Sequence, residues 1–171
     1  MKIEMLALFL LATFCLAVTW NIADANDPDT NICSATSAGG AFYICPAGDG
    51  ETLADAGATI TVTVLDANGL PCVGYPKENI WVSSIVPDEL ELCPGANMAD
   101  TDTDANGVTT ISGTIVGGGY TQNGLYVHID GEPISGSPLS INVNSVDITG
   151  DLYIDLCEMI ILNEDYGTSN Y

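Results

Sequence analysis

Six oxygen-bearing residues near the C-terminus stand at the spacing that a hard cation requires. With Asp147 as position 1 of a twelve-residue loop, Thr149 falls at 3, Asp151 at 5, Tyr153 at 7, Asp155 at 9 and Glu158 at 12. Ca²⁺ takes about six to eight oxygen ligands at short range, and this alternation wraps a backbone around one point. Three Asp carboxylates and the Thr149 hydroxyl converge on that point. Tyr153 adds its backbone carbonyl, and Glu158 can close the site with two oxygens. The spacing therefore predicts a calcium site. Leu152 takes the position where glycine normally permits the sharp turn, so weak binding is expected, ~10⁻⁴–10⁻³ M. Ile154, at position 8, is expected to anchor the loop to a core. Leu156, Met159, Ile160 and Leu162 then form an apolar helical stripe.

Other chemistry-bearing residues support blander readings. Asp100, Asp102 and Asp104 also alternate, but position 12 of that register is Ile111, so they read as part of a turn. His128, the single histidine, falls on the outward side of a strand by alternation. It reads as a surface residue, and no catalytic dyad can be built around it from sequence. Gly117-Gly118-Gly119 has no helix pattern after it, which favours a flexible strand connection over a phosphate loop. Lys77 lies beside Pro76 in a loop rather than at a crosslinking position. Trp81 reads as core. With so many acids, no glycosidase carboxylate pair can be singled out. No enzyme is expected.

Composition removes whole classes of function. The 171 residues hold 23 acids against Lys2 and Lys77, a net charge of −21. Without a basic patch, nothing can replace the counterions of a nucleic acid. Adsorption to anionic membranes fails for the same reason. Residues 1–25 read as a signal peptide, because the apolar run Met5 to Val18 is short of the ~20 residues of a spanning helix. Ala23-Asp24-Ala25 then places cleavage before Asn26. Lipidation of Cys15 is disfavoured by the bulky Phe14. Residues 26–171 keep 21 of the acids and one lysine, hence −20. A secreted, extracellular protein is expected, with no membrane insertion after cleavage. Export makes disulfides the default for Cys33, Cys45, Cys72, Cys93 and Cys157. Fifteen ways of drawing two bridges exist; Cys72–Cys93 and Cys33–Cys45 are the expected pairs, with Cys157 free or joining two chains.

Strands must position these residues. After a polar leader at 26–40, Ile60, Val62 and Val64 alternate with Thr59, Thr61 and Thr63. Leu125, Val127 and Ile129 repeat the pattern, as do Leu139, Ile141 and Val143. Thr109, Ile111, Gly113 and Ile115 suggest another strand. Ile80 to Val86 is a strand whose inward side is open between Ile80/Val82 and Trp81/Ile85. Ala41 to Cys45 and Glu89 to Cys93 are shorter candidates. Asp-Ala-Asn-Gly at 66–69 and again at 104–107 marks tight connections. Short strands at this frequency argue for an antiparallel β-sandwich of about seven strands over 41–144.

The stretches ITVTVLDANGLPCVG and TDANGVTTISGTI resemble bacterial Ig-like domains of the invasin and intimin type. VHIDGEPISGSPLSINV resembles the last hairpin of filamin-type Ig repeats. Residues 145–171 resemble one repeat of a dockerin, a calcium loop followed by a helix, a family that carries two such repeats and binds cohesins. The resemblance implies an Ig-like module with a calcium-binding tail. The expected role is a secreted, non-enzymatic surface, adhesion or assembly protein with a protein or glycan partner at the cell surface. The alternative is a carbohydrate-binding accessory module of an extracellular polysaccharide-degrading system.

Overall fold

The computed structural model describes residues 27–84 and 90–160. The expected signal peptide, its cleavage point and Leu162 lie outside the described residues. The described residues are mainly β, forming ten short strands: β1 (Ser34–Thr36), β2 (Gly40–Ile44), β3 (Ile60–Thr63), β4 (Ile80–Ser84), β5 (Leu90–Leu92), β6 (Val108–Ile111), β7 (Gly117–Thr121), β8 (Leu125–Ile129), β9 (Glu132–Pro133) and β10 (Ile141–Ser145). The hydrogen-bonded orders are β1-β3-β6, β2-β10-β7-β5 and β4-β8-β9. Leu125 also bridges Leu139, which ties β8 to the lead-in of β10. This grouping is Ig-like, with β1, β3 and β6 in one sheet and β4, β8 and β9 in another. One pairing departs from the antiparallel expectation: β2 and β10 run parallel, with Val143 opposite Phe42.

Alternation places the core. Ile60, Val62, Val64, Leu125, Val127, Ile129, Ile141 and Val143 are all fully buried and share one cluster with Phe42 and Leu53. The open parity of β4 resolves to Ile80 and Val82 inward. Trp81 is therefore not core. It is half-buried on the outward face, its ring stacked on His128 at 5.8 Å between centroids. The expected strand through Gly113 ends at Ile111, and Ile115 returns to the core after a break.

Both Asp-Ala-Asn-Gly turns form as the sequence predicts, with the same local bonds. Asp66 Oδ1 accepts from the backbone N–H of Asn68 and Leu70, at 2.8 and 2.9 Å. Asp104 Oδ1 accepts from Asn106 and Val108 at the same two distances. Gly69 and Gly107 complete the turns at φ of 76° and 72°, where a Cβ is strained.

The expected disulfides are not formed. All five described cysteines are free. Each expected pair would span different layers. Cys33 lies next to β1, with its thiol on the Leu65 backbone, whereas Cys45 ends β2 and bridges Val116. Cys72 bonds the Val64 carbonyl, whereas Cys93 follows β5 and bonds that of Val116. Spacing along the chain says nothing about which layer each residue enters, and that decides the pairing geometry.

Candidate metal centre

The acidic loop leaves β10 and turns back over β7. Carboxylate oxygens of Asp147, Asp151 and Glu158 lie within 4.8 Å of one another. Thr149 joins them, its hydroxyl 3.2 Å from Asp147 Oδ1 and 2.8 Å from Glu158 Oε1. Asp147 is fully buried and Glu158 is 2 % exposed, which is unusual for acids with no cation beside them. The loop's own N–H groups supply the compensation. Asp147 accepts from Gly150 and Leu152 at 2.8 Å each, and Asp151 accepts from Tyr153 at 2.9 Å.

Two features of the backbone bear on ligation. Leu152 sits at φ 67°, a left-handed conformation that costs a β-carbon-bearing residue about 1–2 kcal/mol. The chain thus keeps at position 6 the turn for which glycine is normally used. Strain of this kind persists only where surrounding structure enforces it, and it clusters at functional sites. The second feature is the docking of the loop on β7. A Cβ on Gly118 would overlap the Asp147 carboxylate, and the Gly119 N–H donates to the Asp147 carbonyl at 2.6 Å. Gly117-Gly118-Gly119 is therefore strand rather than the expected flexible connection. Its missing side chains make room for Asp147.

Asp155 and Glu158 also open a helical turn at 156–160. Asp155 Oδ1 accepts from the Cys157 N–H at 2.6 Å, and Glu158 Oε2 accepts from the Asp155 N–H at 2.8 Å. This is the reciprocal pattern of a capping box. The Asp155 N–H, then the Thr149 hydroxyl, hold Glu158 down at about 2, from an ordinary 4.5. Of the six expected ligands, the fold gathers Asp147, Thr149, Asp151 and Glu158. Asp155 stands outside the three-acid group and caps the helix, and Tyr153 is exposed at position 7. The expected core anchor fails: Ile154 is 55 % exposed, and Leu156, Met159 and Ile160 face solvent with it. The loop is held by its buried acids on the glycine strand instead, a role that a hydropathy pattern conceals.

The second acidic run holds no such group. Asp100 bonds Thr110 and Ser112, Asp102 bonds the Lys77 N–H, and Asp104 closes its turn, so each carboxylate serves local backbone or side chains.

A contact that sequence reading missed lies on the β4–β8 face. Ser83 Oγ and His128 Nε2 are 2.7 Å apart, and His128 Nδ1 is 3.3 Å from the Gly131 carbonyl oxygen. A carbonyl only accepts, so Nδ1 carries the proton and Nε2 accepts from the serine hydroxyl. Antiparallel register alone brings the two together, since Ser83 lies opposite Tyr126, two residues from His128. The pair sets a serine hydroxyl against an imidazole nitrogen on the outward face of β4 and β8. Beside them, Trp81, Leu92, Pro94 and Met98 line a cavity of about 420 Å³.

No protein-family model matches the chain, and no curated protein does. Among solved structures it is similar to the crystal structure of the Lin-41 filamin domain, at 16 % identity and a TM-score of 0.38. The match covers 68 % of this chain and 96 % of that one.

Proposed function

We propose that this is a secreted, non-enzymatic interaction module whose C-terminal loop binds Ca²⁺ and thereby holds the tail against an Ig-like sandwich. The observation that carries the reading is the convergence of Asp147, Asp151 and Glu158 around a left-handed Leu152. Three carboxylates this close repel one another, and a divalent cation removes that repulsion. Thr149 supplies a further oxygen, and the Tyr153 carbonyl and Asp155, through a water, would complete the shell. The charge of −21 suits an exported acidic protein and excludes nucleic acid as partner. Among the described residues no helix is long and apolar enough to cross a membrane.

Calorimetric titration of the full chain with calcium chloride tests this. Binding of ~10⁻⁴–10⁻³ M is expected. Asp147→Ala and Glu158→Gln each abolish it with the sandwich still folded, and Asp102→Ala leaves it unchanged. A heat that survives Glu158→Gln but disappears in Asp102→Ala would move the site to the 100–107 turn. A second reading, the carbohydrate-binding accessory module, is favoured by one observation: Tyr43 and Tyr120 are both exposed on the outer face of one sheet.

A further inference from the structure

We infer that Tyr43, Asn144 and Tyr120 form a platform for an extended, uncharged β-1,4-linked polysaccharide, which rests on the carbohydrate-binding reading and gives it a site. The three residues stand in one row. Asn144 on β10 is opposite Tyr43 on β2 and, on its other side, opposite Tyr120 on β7. Residues directly opposite share a face of the sheet. That face is outward here, because the alternating partners Phe42, Val143 and Thr121 are buried. Tyr43 is 61 % and Tyr120 47 % exposed.

The chemistry of the row matches sugar more closely than it matches protein. Aromatic rings carry an apolar face that packs on the C–H face of a pyranose, and the Tyr hydroxyls remain available to water or ligand. The Asn144 amide lies between them, and exposed Asn142 extends the same face of β10. Among the described residues, neither the two hydroxyls nor the two amides form a hydrogen bond within the chain. An amide offers both donors and an acceptor, which suits vicinal hydroxyl groups. Adjacent strands lie about 4.8 Å apart, so the tyrosines stand ~9.6 Å from each other across β10. That separation is close to the length of two hexose units in an extended β-1,4 chain.

Charge selects the class of glycan. The chain has 23 acids, yet Gly40–Ile44, Gly117–Thr121 and Ile141–Ser145 contain no charged residue. A neutral polymer meets no repulsion on this strip, whereas a sulfated or uronic polymer meets the field of the whole acidic protein. A second copy of the chain fits poorly, because two tyrosines among asparagines are far short of the ~800 Å² that each partner buries in a stable interface.

The test is calorimetry on the full chain in EDTA, so that it stands apart from the calcium site. The probes are cellohexaose and mannohexaose, with maltohexaose and a heparin hexasaccharide as counter-probes. At least one β-1,4 probe should bind, with maltohexaose at least tenfold weaker and heparin silent. Tyr43→Ala and Tyr120→Ala should each weaken binding at least tenfold, and Asn144→Ala several-fold, with melting temperatures unchanged. Tyr126→Ala, on the other sheet, should have no effect. Binding that persists in the Tyr43→Ala/Tyr120→Ala double variant would overturn this site while leaving the carbohydrate-binding reading standing. Preference for heparin or maltohexaose would overturn the β-1,4 platform while leaving the carbohydrate-binding reading standing, and silence with every probe would overturn both.

Discussion

Asp147 lies on the bare backbone of Gly118, so close that any side chain there would occupy the place of the carboxylate. The acid is fully buried by this contact, and its carbonyl takes the N–H of the next glycine, Gly119. The first residue of the candidate calcium loop is thus fixed by a strand about thirty residues earlier in the chain.

Gly118→Ala should therefore act at a distance in sequence. The added methyl displaces Asp147, which starts the loop, and calcium affinity should fall at least tenfold by calorimetry. Gly113→Ala is the control. A Cβ there meets nothing within 4 Å, so binding and melting temperature should stay as they are.

Leu152→Gly should act in the opposite direction. Left-handed backbone at a non-glycine residue costs about 1–2 kcal/mol, and glycine's extra unfolded-state entropy returns roughly 0.5–1 kcal/mol of that. The remainder lowers the free energy of closing the loop around a cation. Calcium binding should tighten by a few-fold, up to about tenfold for the full ~1.4 kcal/mol. Unchanged or weaker binding would show that the left-handed turn is not the ligating conformation.

Acid should release the loop through Glu158. Its carboxyl is held at about 2 rather than 4.5, so the folded loop binds fewer protons than the unfolded chain between these values. The stabilisation is fully present above 4.5 and is lost as pH falls through about 2. Carboxyl-carbon NMR should show Glu158 titrating well below the exposed acids. Proteolysis of the tail should rise in the same window, and Glu158→Gln should flatten that response.

The sandwich itself should answer to parity. Val62 is fully buried, and Thr61, its neighbour, is half-buried on the other side of β3. Val62→Asp buries an unpaired charge and should cost several kcal/mol, whereas Thr61→Asp should cost about 1 kcal/mol. Chemical denaturation of the two variants separates them, and equal midpoints would refute the alternation.

Local patterns in the chain are enough to determine the β class, the inward residues of β3, β8 and β10, and both Asp-Ala-Asn-Gly turns. Alternation and turn chemistry act between residues a few positions apart, so a single sequence carries them. The spacing that brings Asp147, Thr149, Asp151 and Glu158 together was legible for the same reason, whereas the capping role of Asp155 was not. What lies across strands was not. Strand pairing decided that Trp81 faces outward onto His128, that Ser83 meets the same ring, and that Tyr43, Asn144 and Tyr120 form one row. Sheet assignment kept Cys33 from Cys45 and Cys72 from Cys93, the two expected pairs. The three glycines of β7 carried no readable instruction, because their meaning is the absence of side chains opposite Asp147. Long-range register depends on which distant segments share a core, and that is settled by the packing of the whole chain.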